Sequence, residues 1–210
     1  MSAPLALQER TELCDLALAL GPDAPTLCEG WDARDLVDHL LIRERRPVSA
    51  LGNVVPRLAG LTDRAMAQGR QRSFGVQVER LRRPSPPLRL VPLLDGLMNT
   101  FELVVHHEDL RRAQPGWEPR SLPDADLDLL WSQLSRGGAF IGRRLPVPAV
   151  VRRSDTGITA TVRKGPDPVV VSGPVVELVL FLFGRDQTRG LTFEGAPDAV
   201  ARLRSADLGV

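Results

Sequence analysis

The stretch FELVVHHEDL, residues 101–110, contains two of the three histidines in the chain, beside several carboxylates. Glu102 and His106 are four residues apart, and on a helix such residues share one face, about 6 Å apart along the axis. Their carboxylate oxygen and imidazole nitrogen therefore point the same way, and zinc accepts both kinds of donor. The same spacing is also typical of a solvated contact on an ordinary helix surface. The pair alone leaves both interpretations open.

A catalytic zinc site needs three protein ligands and keeps one position open. The only histidine besides the adjacent His106 and His107 is His39. Asp32 is a good N-cap, and it predicts a helix over about residues 33–46, with His39 at the edge of the apolar stripe. His39 could therefore meet Glu102 and His106 across a helix bundle.

Apolar residues at helical spacing predict a series of helices before residue 145. The most regular helix carries an apolar face flanked by a polar stripe that includes Glu102, His106 and Asp109. Such a stripe usually faces solvent, but in a helix bundle it can line an internal site. The predicted helices span residues 5–20, 33–46, 47–83 with proline and glycine interruptions, 88–112 and 124–143.

The pattern changes after Leu145. Three short segments, VPAVVRR, GITATVRK and DPVVVSG, are β-branched and partly alternating, which predicts strands. A helix over 174–183, a strand at LTFEG and a last helix at PDAVARLRS are predicted to follow. A run of helices followed by a region of mixed strands and helices predicts two domains. They are residues 1–145 and residues 146–210, and the second is a small α+β domain.

Two runs together resemble a known family. LCEGWDARDLVDHLL, residues 27–41, places C-x-G-W and an aspartate before a helical histidine, and ELVVHHEDLRR follows on a later helix. They resemble the metal-binding DinB-like family, and most closely its mycothiol-dependent maleylpyruvate isomerase branch. The resemblance implies that His39, Glu102 and His106 are the metal ligands. It also implies an N-terminal DinB-like four-helix bundle followed by a small C-terminal α/β domain of the sterol-carrier type.

The resemblance also implies a chemistry. Two histidines and a glutamate favour zinc, with nickel, iron or another divalent metal as alternatives. The resemblance implies mycothiol as the thiol cosubstrate. A metal with an open position would bind its sulfur and lower the pKa of the thiol. The resulting thiolate could isomerise an activated alkene or displace a leaving group, which predicts an isomerase or an S-transferase. The alternatives are a non-catalytic divalent-metal-binding module and a metal-free bundle.

Three residues near the predicted ligands also have ordinary interpretations. His107 points about 100° away from His106 and is expected at the edge of the core rather than on the metal. Asp109 could orient a ligand imidazole through its second nitrogen or pair with a surface arginine. Asp38 points to another face of its helix than His39, and we expect it to be solvated.

Two further residues are candidates outside the ligand set. Cys28 lies in the loop before the ligand helix, where a thiolate could be a fourth ligand or a nucleophile. A small buried loop residue is the more ordinary interpretation of Cys28. Arg185 follows a predicted helix in the second domain and could bind a carboxylate of the cofactor as a bidentate donor.

Composition and charge narrow the classes of function. A net charge of +1 gives no strong field for nucleic acid or an anionic membrane, so neither is a predicted partner. No stretch of about 18 apolar residues predicts a membrane span, and the acidic N-terminus does not resemble a signal peptide. Two cysteines without CxxC spacing favour a reducing cytoplasm. The predicted partners are a small-molecule substrate and a low-molecular-weight thiol, bound by a monomer or homodimer.

Overall fold

The computed structural model describes residues 4–45, 68–83 and 92–208, apart from the side chains of 92–98. The chain divides into two compact units, residues 1–118 and residues 119–210. Most of the broken helical segment predicted over 47–83, and the start of the helix predicted at 88, lie outside the described residues. No helix in the described ranges has the length and hydropathy needed to cross a membrane.

The described part of the first unit is helical. Its helices are α1 (Leu5–Leu20), α2 (Ala33–Arg45), α3 (Phe74–Arg82) and α4 (Pro92–Arg112). α1 packs against α4 and α3, and α2 packs against α3. Leucines dominate the shared core, as the apolar stripes predict: Leu13, Leu36, Leu40, Leu81, Leu103 and Leu110 are all buried. Burying this apolar surface is the main favourable contribution to the packing of these helices.

Local sequence sets the ends of two helices that matter for the site. Asp32 caps α2, because its Oδ1 accepts a hydrogen bond of 2.8 Å from the backbone N–H of Asp35. α1 ends at Gly21, whose φ of 91° is a conformation that glycine adopts without steric cost. The predicted boundaries of α1 and of the start of α2 are confirmed.

The second unit is built around a small mixed sheet. α5 (Asp124–Ile141) is followed by a short 3-10 turn (Gly142–Arg144). The remaining elements are β1 (Ala149–Arg153), β2 (Thr159–Arg163), β3 (Val169–Gly173), α6 (Val175–Leu182), β4 (Thr192–Glu194) and α7 (Pro197–Arg204).

The sheet has the strand order β2-β1-β3-β4. β1 is antiparallel to β2 and parallel to β3, and β3 is antiparallel to β4. α5 lies against β2 and also contacts α6. Gly142 permits the close approach next to β2, because a methyl group there would collide with the carbonyl of Val162.

The predicted fold class is confirmed: a helical N-terminal region precedes a small C-terminal domain with a sheet. The compact units divide at residue 118, earlier than the domain boundary predicted at residue 145. The difference arises at α5, because this helix packs on the sheet of the second unit. The sequence pattern locates the first strand but does not reveal which core a preceding helix joins. The domain limits 1–145 and 146–210 stay a prediction.

Candidate metal centre

Helices α2 and α4 bring the three predicted ligands together. Nε2 of His39 lies 3.8 Å from Oε2 of Glu102, and Nε2 of His106 lies 3.4 Å from the same oxygen. One donor atom from each residue lies within 4.8 Å of the other two. The two imidazole rings meet edge to face, with centroids 5.1 Å apart. The structure thus contains the convergence that the sequence predicts, and metal binding by it stays a prediction.

The spacing of these donor atoms fits a divalent metal. Ligands held about 2.1 Å from a tetrahedral zinc lie about 3.4 Å from one another, since their bonds meet at about 109°. The observed separations of 3.4 Å and 3.8 Å from Glu102 Oε2 are close to this value. Two imidazole nitrogens and one carboxylate oxygen are also a donor set that zinc accepts, with a fourth position left open.

The donors are largely, but not wholly, shielded from water. The side chains of His39, Glu102 and His106 expose between 9% and 15% of their surface. Trp31 packs on the ring of His39, with centroids 4.9 Å apart, and so restricts its rotation. Most bulk water is therefore excluded from the site, which strengthens electrostatic interactions there.

Asp109 orients the imidazole of His106. Its Oδ2 lies 2.9 Å from Nδ1 of His106, and the aspartate is fully buried. A carboxylate only accepts, so Nδ1 carries the proton and Nε2 is the nitrogen that faces Glu102. Carboxylates that fix metal-binding histidines in this way raise the basicity of the ligand. Of the two interpretations of Asp109, the structure shows the contact with the imidazole.

Cys28 lies beside Asp109, on the Nδ1 side of the His106 ring. Its thiol donates to Oδ2 of Asp109 at 3.2 Å, and its Sγ is 3.8 Å from Nδ1 of His106. Cys28, His106 and Asp109 are thus a second group of possible metal donors. Because Sγ faces Nδ1 rather than Nε2, Cys28 does not share the space between His39 and Glu102. Its direct contact is with the residue that orients the ligand.

Charges at the site are strongly coupled. Burial alone would raise the pKa of Glu102, but hydrogen bonds from His106 and His39 and the charge of Arg43 hold that pKa well below its usual range. Burial also opposes protonation of His106, yet Asp109, Cys28 and Glu102 raise its pKa well above the usual value. Burial lowers the pKa of His39. The metal-free site therefore pairs a glutamate anion with a protonated His106.

The sequence model of the mycothiol maleylpyruvate isomerase N-terminal domain family matches residues 6–134. The chain belongs to this family. The match includes α2 and α4, which carry the three predicted ligands, and the resemblance inferred from the two motifs is confirmed.

Two solved structures have a fold similar to that of the chain. The crystal structure of the mycothiol-dependent maleylpyruvate isomerase is 18% identical to the chain, with a TM-score of 0.61 over 90% of both chains. The crystal structure of a histidine-to-alanine mutant of that enzyme gives the same values. At this identity the likeness establishes the fold. No curated protein sequence matches the chain.

Arg43 is the residue that sequence reasoning missed. Its Nε lies 3.4 Å from Oε2 of Glu102, the oxygen that faces both histidines. Arg43 follows His39 by four residues on α2, so helical spacing places both on one face. That spacing could have identified it, but an arginine near the end of a helix is equally typical of a solvated surface.

The remaining candidates lie elsewhere. His107 does not join the three predicted ligands. Its Nδ1 is 2.8 Å from Oε2 of Glu9 on α1, and both residues are buried. Those two residues and Glu12 are a further group of possible donors.

The expectation that Asp38 is solvated is wrong. Asp38 is 1% exposed and accepts a hydrogen bond from Gln77, because α3 covers this face of α2.

Arg185 belongs to the second unit. It follows α6, and its Nη1 donates to the carbonyl of Phe183 at 2.6 Å. This contact fixes the side chain near its own helix end. Binding of a cofactor carboxylate by Arg185 stays a prediction.

Proposed function

We propose that this protein is a metal- and mycothiol-dependent enzyme, an isomerase or an S-transferase that acts on a small electrophile. The observation that carries the proposal is the convergence of His39 from α2 with Glu102 and His106 from α4 on one carboxylate oxygen. Membership of the mycothiol maleylpyruvate isomerase N-terminal domain family supports it. A cytoplasmic location and a monomeric or dimeric state remain part of the same proposal.

His39, Glu102 and His106 would hold the divalent metal, and their donor set favours zinc. A metal held there would lower the pKa of a thiol at its open position, so that thiolate forms near neutral pH. Asp109 accepts a hydrogen bond from the Nδ1–H of His106, which leaves Nε2 as the nitrogen that faces Glu102. Glu102 stays ionised, because its neighbours hold its pKa well below the usual range. These residues keep Glu102 ionised and His106 oriented, and His106 must lose the proton on Nε2 before it binds the metal.

Two reactions fit a thiolate in such a pocket. In the first, the thiolate sulfur adds to one carbon of an activated alkene, the remaining carbon–carbon single bond rotates, and elimination of the same thiolate restores the alkene with inverted geometry. In the second, the sulfur displaces a leaving group, and the new carbon–sulfur bond is retained in the product. The first is the chemistry named for the isomerase with the similar fold, and the second gives an S-transferase.

The metal is tested first, on the full-length protein. We expect the purified and dialysed wild type to retain about one divalent metal per chain, and His39→Ala to lose it. The matched control is His107→Gln, which replaces the neighbouring histidine and keeps a hydrogen-bond donor for Glu9. Metal content is measured by elemental analysis, and folding by circular dichroism. A metal-free wild type that cannot be reloaded would leave the metal-free bundle as the better interpretation.

Turnover is tested next. The metal-loaded protein is given mycothiol with monochlorobimane, and with cis-configured activated alkenes, and the consumption of the electrophile is followed. We expect consumption to require the thiol and to be lost in His39→Ala but kept in His107→Gln. Stoichiometric metal without thiol-dependent turnover across such a panel would instead support a non-catalytic metal-binding module.

A further inference from the structure

Arg43 places a positive charge beside the oxygen on which the candidate metal centre converges. Its Nε is 3.4 Å from Oε2 of Glu102, and its Nη1 is 3.5 Å from Oδ1 of Asn99. The side chain of Arg43 is 22% exposed, more than that of Glu102 at 15%. α2 therefore supplies both a ligand, His39, and a cation to the same carboxylate.

This cation has opposite effects on two kinds of ligand. A guanidinium remains charged at every accessible pH, so it repels a divalent ion that binds to the same oxygen. It also attracts any anion that takes the open position on that ion. The two effects act in a mostly buried site, where screening by water and salt is reduced.

We propose that Arg43 weakens metal binding by His39, Glu102 and His106, and strengthens the binding of an anionic ligand at the open position of that metal. This inference rests on the metal centre of the proposed function, but it does not depend on turnover or on the identity of the substrate. Arg43 acts by its charge and supplies no ligand atom to the metal. Its role is to make the site favour a negatively charged fourth ligand over a neutral one.

The test compares three variants with the wild type: Arg43→Gln removes the charge, Arg43→Lys keeps it, and Arg34→Gln is the control. Arg34 also lies on α2, but it donates to the carbonyl of Arg72 and lies over the ring of Phe74. Each metal-free protein is titrated with Co²⁺ at fixed pH and ionic strength, followed by visible absorption. The loaded protein is then titrated with azide, an anion, and separately with imidazole, a neutral ligand.

We expect Arg43→Gln to bind Co²⁺ about tenfold more tightly, which is within the range of effects of outer partners on metal affinity. The same variant should bind azide about tenfold more weakly, while its affinity for imidazole stays within about twofold of the wild type. Arg43→Lys and Arg34→Gln should resemble the wild type in all three titrations. A purely structural role of Arg43 would not move metal and azide affinities in opposite directions.

Three results would overturn the inference. If Arg43→Gln leaves both affinities unchanged, or weakens both together, the charge of Arg43 does not act as proposed. If Arg43→Gln weakens imidazole as much as azide, the effect is steric rather than electrostatic. In each case the wild type still binds Co²⁺, so the metal centre of the proposed function survives. A wild type that binds no Co²⁺ overturns both proposals, and that outcome is visible before any variant is made.

Discussion

Asp109→Asn removes the charge that orients His106 while keeping the size of the side chain. In the structure Oδ2 of Asp109 lies 2.9 Å from Nδ1 of His106, and the carboxylate is fully buried. The asparagine can still accept a hydrogen bond through its oxygen, but the imidazole loses the anion that raises its basicity. The substitution therefore acts on the strength of the ligand and leaves the donor atoms themselves in place.

The size of the effect follows from the geometry. A buried hydrogen bond to a charged group contributes about 1.5–3 kcal/mol, and its length of 2.9 Å is typical of a charge-assisted bond. Losing most of that contribution corresponds to a loss of about 10- to 100-fold in metal affinity, the range that outer partners of metal ligands usually give. We therefore expect the metal dissociation constant of Asp109→Asn to rise by about that factor.

Competition with a chelating indicator measures the dissociation constant, and circular dichroism shows whether the variant is folded. Asp38→Asn is the matched control, since Asp38 is also buried in the first unit but is hydrogen-bonded to Gln77. It should leave metal affinity within about threefold of the wild type, the scatter expected for a contact away from the ligands. A folded Asp109→Asn protein with wild-type affinity would refute the role assigned to Asp109, and equal losses in both variants would point to a general loss of packing.

Two further predictions separate the site from the rest of the chain. Metal affinity should fall by about tenfold for each pH unit below the raised pKa of His106, because a proton must leave the imidazole before a metal binds. The same protonation stabilises the folded, metal-free protein. That stabilisation is fully present below the usual His pKa of 6.5 and is lost as the pH rises through the raised pKa. Titrations of metal and chemical denaturant at several pH values check both directions. Gly142→Ala should destabilise the second unit by about 1–3 kcal/mol through a collision with the carbonyl of Val162, with no change in metal affinity.

The sequence was sufficient to predict that His39, Glu102 and His106 lie together, because few arrangements were open to it. With three histidines in the chain, and two of them adjacent, a site with two histidine ligands has few possible compositions. The spacing of Glu102 and His106 fixes their common direction on a helix without any knowledge of the fold. The capping aspartate before α2 fixes the phase of His39 in the same way. Local geometry therefore determines most of the candidate site.

The contacts that the sequence did not reveal are all between elements. Asp38 is buried because α3 packs over α2, and the interrupted pattern over 47–83 gave no face for that packing. α5 joins the sheet of the second unit because glycine permits its end to approach β2 closely. Arg43 could equally have been solvated, since arginine occurs on exposed helix faces as well as in buried ion pairs. Helical phase predicts the direction of a side chain, but not the partner that it meets.

The adjacent histidines of α4 connect the site to the core. Consecutive helical residues point about 100° apart, so one helix can present His106 to α2 and His107 to α1. His107 is 2.8 Å from the buried Glu9 of α1, and this contact is one of those that set the rotation of α4 about its axis. The same rotation sets the direction in which Glu102 and His106 project towards α2. The packing of α1 on α4 therefore supports the geometry of the ligands, although neither His107 nor Glu9 contributes to the convergence on Glu102.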